Sequence, residues 1–380
     1  MHPTEDRVRT ALGAVEEPHF ALDVVSLDLV RTVSISRGRV ALTLVVPLED
    51  WPRLDQLVGR VTDAVAAVDG VKGVEVTVET MDDDDRAALR HSLIGDPEAS
   101  AGSQQAHGHA EGRSIPFAEP GATTRVLLIA SGKGGVGKSS VTTNLAVALA
   151  DRGHRTAVVD ADVWGFSIPR MLGVGQPPVV VDTMLIPPES YGVRSISMGY
   201  FAPDDQAVIW RGPMLHKALE QFLTDVYWGE PDFLLVDLPP GTGDIAISLA
   251  GFMPRAEVFI VTTPQPAAQR VATRAAAMAD KVNLEVCGVI ENMSWFTGDD
   301  GRRYEIFGAG GGVELADSIG VPLVGQVPLV PALRAGGDVG TPIVATEPDS
   351  EAAQAFVAMA ERIDTEMAPT KRYHRELKIV

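Results

Sequence analysis

The chain has 380 residues, 45% of them hydrophobic, and a formal net charge of −19 at neutral pH. That length predicts two domains with a sizeable core, and the acidity argues against bulk attraction to nucleic acid or anionic lipid. One cysteine (Cys287), a polar N-terminus and no apolar run of about 18 residues exclude a disulfide framework and predict a cytoplasmic chain without signal peptide or membrane span.

Residues 1–80 read as a small accessory domain. Val8, Ala11, Leu12 and Val15 have helical spacing. LVRTVSISRGRVALTLVV reads as a hairpin turning at Arg37-Gly38, with Val40, Leu42, Leu44 and Val46 alternating on its second strand. Leu54, Val58, Val61, Val65 and Val68 give a helix with one apolar face, and GVEVTVE alternates again. The predicted order is α-β-β-α-β. Residues 81–123, rich in acid, Gly, Ser, Gln and Ala, read as a flexible linker. His107 and His109 fall within it; two ligands alone do not make a metal site.

From residue 124 to 365 short apolar runs alternate with helical segments. VLLIA, TAVVD, FLLVDLP, VFIVTT and VCGVIEN are candidate buried parallel strands, and Leu215, Leu219, Phe222 and Val226 mark a helix. The fold class is α/β, a mostly parallel sheet covered on both faces. Residues 366–380 form a polar tail, too short and polar for a membrane anchor.

SGKGGVGKSS contains GxxxxGK[ST], placed between the strand VLLIAS and the helix SSVTTNLAVALA, which is the context a phosphate-binding loop requires. Glycines let backbone N–H groups turn toward phosphate oxygens, and the helix N-terminus adds partial positive charge. The loop assigns nucleotide binding to Gly132, Lys133, Gly134, Gly135, Val136, Gly137, Lys138, Ser139 and Ser140. Lys138 is expected to reach the β- and γ-phosphates of ATP, and the Ser139 hydroxyl to bind Mg²⁺. Asp237 ends an apolar strand as a Walker B acid does, holding Mg²⁺ directly or through water. Asp160 and Asp162 follow a second strand. PPGTGD, with Gly241, Gly243 and Asp244, joins Asp160 as a candidate switch that senses the γ-phosphate.

The KGGxGK[ST] form of the loop carries a second lysine, Lys133, and resembles that of the deviant-Walker (signature-lysine) ATPases. Within that class DADVWGFSIPRMLG, WRGPMLHKALEQF, DFLLVDLPPGTGD, VTTPQ, VIENMSWF and IFGAGGG resemble the Mrp/ApbC family of iron–sulfur cluster carriers over residues 120–345. The 5–80 segment is similar to an accessory domain fused to such proteins and found alone in iron–sulfur assembly factors. The resemblance implies a slow ATPase working as a homodimer, with Lys133 contacting the partner's ATP and Asp162 positioning the attacking water. It also implies an adenine contact for Asn292, assembly factors or apoproteins as partners, and a [4Fe–4S] cluster as cargo.

Members with cluster chemistry carry a CxxC pair after the NMS segment. Here NMSWFTGDDGRRYEIFG has none, Asp299, Asp300 and Gly301 reading instead as a polar turn. Trp51 stands where related accessory domains commonly carry a cysteine. Cys287, inside an apolar strand, reads as a small buried hydrophobe. No iron–sulfur ligands are identifiable. Two other functions stay open on the residues: a positioning ATPase like MinD or ParA, and a nucleotide-switched binding scaffold.

Overall fold

The computed structural model describes residues 2–95, 115–119, 121–162, 165–201, 212–241 and 244–367, except for the side chain of Asp244. They divide into two compact units.

The first unit is built on a three-stranded sheet. Val30–Ser36 and Arg39–Val46 form the expected hairpin, with Arg37 and Gly38 both at positive φ in the turn. Arg39–Val46 also pairs in parallel with Gly73–Thr80. Alternation along the central strand buries Val40, Leu42 and Leu44, and the helix Leu54–Ala66 buries Leu57, Val61 and Val65. The first helix spans Glu5–Leu12, so Val15 packs into the core from beyond its end. Near the hairpin, the Glu17 carboxylate is fully buried. It accepts from the backbone N–H groups of His19 (2.7 Å) and Phe20 (2.8 Å) and from Trp51 Nε1 (3.0 Å). A buried carboxylate is tolerated only with such a full set of donors.

The segment expected to be linker begins with a helix, Asp83–Ile94. Its acid run, read as part of a flexible linker, is a helix start. Asp82 caps the Asp85 N–H at 2.9 Å, and Asp83, Asp84 and Asp85 lie in the first turn, where the helix dipole favours negative charge. Leu89 supplies the buried contact. His107 and His109 lie outside the described residues, as does the tail from residue 368.

Two later pieces of chain complete this unit, Val179–Ile186 and Asp225–Gly229. Val181, Met184, Ile186 and Tyr227 share its core with Leu44 and Leu57. Leu185 N–H donates to Asp225 O and Tyr227 N–H to Leu185 O, both at 2.8 Å. The Tyr227 hydroxyl donates to Phe20 O (2.9 Å), and its ring meets Phe20 edge-on at 5.5 Å. Val226, expected on the helix with Leu215, Leu219 and Phe222, lies beyond it. That helix ends at Thr224, and Val226 bridges Leu185.

The second unit holds an eight-stranded sheet. Across it the order is Glu189–Ser190, Val193–Ser197, Thr156–Asp160, Phe233–Asp237, Arg125–Ser131, Glu257–Thr262, Glu285–Asn292 and Leu323–Val327. Only the Glu189–Ser190 edge is antiparallel. All five expected strands are present. Val126 through Ser131 are buried without alternation, as a strand covered on both faces requires. The C-terminal ends of the central strands Arg125–Ser131 and Phe233–Asp237 converge on the phosphate loop.

A chain lacking residues 1–95 is expected to self-associate, because Val181, Met184, Ile186 and Tyr227 lose their cover. Each of these side chains contributes about 1.5–3 kcal/mol when buried. Replacing the three aliphatic residues by threonine in the truncated chain restores a monodisperse species in light scattering. An unmodified truncated chain as well dispersed as the full chain would remove these residues from the core of the small unit.

Candidate nucleotide site

The loop leaves the sheet at Ser131 and enters the helix Lys138–Asp151. Two glycines are required by what surrounds them. A Cβ on Gly132 would lie 2.4 Å from the Val271 carbonyl carbon, so the loop runs directly against the helix Pro266–Lys281. Gly137 has φ +82, and a Cβ there would meet Asn292 Nδ2 at 2.2 Å. The loop lines a cavity of about 180 Å³ together with Asp162, Met171 and Pro240, and the helix N-terminus opens onto it.

Lys138 is 6% exposed, and its Nζ lies 2.7 Å from Asp237 Oδ2 and 4.0 Å from Asp162 Oδ2. The Asp237 contact is an ion pair rather than an aligned hydrogen bond, and Nζ has no hydrogen-bond acceptor among the described residues. A buried ammonium with unspent donors, beside glycine N–H groups and a helix N-terminus, fits a phosphate. Asp237 is wholly buried and accepts from Ser139 Oγ (2.6 Å) and Thr142 Oγ1 (2.8 Å).

Strand register places Asp160 beside Asp237 on the neighbouring parallel strand. Asp160 is fully buried and accepts from the Asp162 N–H (3.1 Å), the Ile168 N–H (3.3 Å) and Ser197 Oγ (3.1 Å). Burial, and then the charge of Asp237, push its carboxyl up to about 7 against the opposing pull of Lys138. Its geometry anchors the segment that carries Asp162. Gly241 N–H donates to Ser131 O at 3.1 Å, which ties the candidate switch to the start of the loop. Gly243 lies outside the described residues.

Lys133 also lines the cavity, and its Nζ donates to Gln265 Oε1 at 3.2 Å. Asn292, expected at the adenine, is buried and donates through Nδ2 to Val136 O at 2.9 Å. Its donor braces the loop, while its Oδ1 has no partner among the described residues. Gly134 and Gly135 are exposed, and Ser140 O accepts from Asn144 Nδ2 at 2.9 Å.

Three contributors were missed in the sequence. Thr142 follows Ser139 by three residues on the same helix face, a spacing that could have found it. Gln265 and Met171 fall within VTTPQ and DADVWGFSIPRMLG, segments that carried the resemblance without assigning either residue a role.

A glycine loop between parallel strand and helix, a buried lysine in it, and a strand-end carboxylate joined to the loop serine define a P-loop NTPase. The chain belongs to the family described as NUBPL iron-transfer P-loop NTPases, whose model matches residues 122–364. Residues 5–78 match the family described as iron-sulfur cluster assembly protein. An iron-sulfur cluster carrier protein of Mycobacterium leprae is 45% identical over 365 residues, 94% of this chain and 92% of that protein. One from Synechocystis is 38% identical over 367 residues, 95% and 97% of the two chains. A nucleotide-binding protein of Archaeoglobus fulgidus, solved with ADP, is 32% identical with a TM-score of 0.53, covering 62% of this chain and 93% of that one. No described helix is long and apolar enough to cross a membrane.

Gly132→Ala is expected to abolish nucleotide binding in a fluorescent-nucleotide titration, because backbone on both sides must move. Asn292→Ala removes one buried brace and should weaken binding by roughly fivefold, about 1 kcal/mol. Unchanged affinity in Asn292→Ala would mean that the loop holds its shape without it.

Proposed function

We propose that this chain is a Mg²⁺-dependent ATPase that works as a homodimer and serves iron–sulfur cluster assembly or delivery. The observation that carries the reading is the cluster around Asp237, which joins Lys138, Ser139 and Thr142 under the glycine loop. Lys138 turns its unspent donors to the β- and γ-phosphate oxygens, and the loop N–H groups take the remaining charge. Ser139 and Asp237 are hard oxygen donors facing one another and fit Mg²⁺, which neutralises phosphate charge when bound. Asp162, 4.0 Å from Lys138 Nζ, holds the attacking water. Lys133 leaves Gln265 and reaches the nucleotide of the partner subunit, where it meets charge building on the transferred phosphoryl group. The cluster-assembly role follows from the two families matched and from the relatives named as iron-sulfur cluster carriers.

Lys138→Ala should lose most nucleotide affinity. Lys133→Ala should keep it while phosphate release falls by roughly 100-fold or more. Nucleotide titration and phosphate release on the same preparations separate the two. Loss of binding in Lys133→Ala would contradict a role confined to turnover.

A further inference from the structure

Iron–sulfur clusters are held by thiolates, four for a cubane cluster. This chain has one cysteine, so a dimer offers two. Cys287 lies in Glu285–Asn292, which has strands on both sides, and packs half-buried against the central core with Sγ 3.7 Å from Glu285 O. Among the described residues no three His, Cys, Asp or Glu side chains gather as a metal site.

Near the segment where a cysteine pair is expected, Glu351 and Asp300 are already engaged. The short hairpin of Phe296–Thr297 and Arg303–Tyr304 is pinned by Glu351, which accepts from Trp295 Nε1 (3.0 Å), Thr297 Oγ1 (2.8 Å) and Arg303 Nη2 (2.6 Å). The Arg303 guanidinium also lies 4.1 Å over the Trp295 ring. Asp300 at the hairpin turn accepts from Arg302 N–H (3.1 Å) and Tyr304 Oη (2.8 Å). Burial raises the Glu351 carboxyl, but its three donors outweigh that and hold it below the usual range. In the small unit Trp51 closes on Glu17 in the same way. Both tryptophan–glutamate pairs spend the carboxylate oxygens that iron would need, Glu351 on indole, hydroxyl and guanidinium donors and Glu17 on indole and backbone donors, and such oxygens are poor replacements for thiolate in any case.

We propose that the iron ligands of any cluster this ATPase handles belong to a second protein, a cysteine-bearing apoprotein or assembly partner, and that this chain supplies none. The inference rests on the cluster-assembly reading above. The cluster then stays on the partner's thiolates, with no ligand exchange onto this chain.

The test is anaerobic incubation of the full chain and of Cys287→Ser with ferrous iron and sulfide, followed by size exclusion. Visible absorbance and protein-bound acid-labile sulfide are read, with phosphate release measured on the same preparation. Neither protein is expected to retain a cluster, and Cys287→Ser should hydrolyse ATP as the parent does. With a four-cysteine apo-ferredoxin as probe, the chromophore is expected to separate with the ferredoxin. A full cluster retained per dimer would overturn the inference. Its loss in Cys287→Ser would implicate the thiol, its persistence oxygen or imidazole donors. A cluster-free chain without ATP turnover would instead count against the ATPase reading alone.

Discussion

The second unit is organised around a buried charge pair, Lys138 with Asp237. Taking both from water costs several kcal/mol per ion even after relaxation, and their attraction repays this only when remaining polar atoms are also satisfied. Asp237 meets that condition through Ser139 and Thr142. Lys138 does not, since its contact with Asp237 is close but misaligned. The imbalance matters for function: the acid is settled, and the ammonium is held ready with donors to spare. Parallel strands bring Asp237 and Asp160 abreast, the close pass of Gly132 against the helix Pro266–Lys281 sets the loop's path, and Asn292 braces it at Val136.

Much of this was legible because it is local. A strand, a glycine loop and a helix are consecutive in sequence, so the motif carries its own context. The five buried strands were equally readable, since a strand covered on both faces must be apolar throughout. What was hidden depends on distant partners. Nothing near Asn292 tells that its amide meets Val136, 156 residues earlier. Gln265 closes the VTTPQ segment, which marks the family but does not tell that its amide meets Lys133. The apolar residues Val181, Met184 and Ile186 announce burial, but not that they complete the small unit and not the unit of the large sheet. The acid run at Asp82 to Asp85 misled because composition counts charge, whereas a helix N-terminus depends on where the charge sits.

The site and the cargo chemistry separate in this chain. Nucleotide binding needs backbone N–H groups, one lysine and hard oxygens, and all are in place. Cluster binding needs soft thiolates, and the one present is built into the sheet. The hairpin after Asn292 is locked by Glu351 and the Arg303–Trp295 stack, so it is a formed element with its polar atoms already used. On the reading proposed above, the nucleotide cycle acts on a cluster that another protein holds.

The central claim is that Lys133 completes the site of the partner subunit. Mixing Lys133→Ala with Asp162→Ala protein tests it most directly, because both variants retain Lys138 and the loop. Each alone lacks one part of every site. In a mixed dimer one site has its own Asp162 and receives Lys133 from the other subunit. The account predicts that phosphate release, nearly absent in each variant, returns on mixing. A mixture as inactive as its components, with mixed dimers shown to form, would contradict action between subunits.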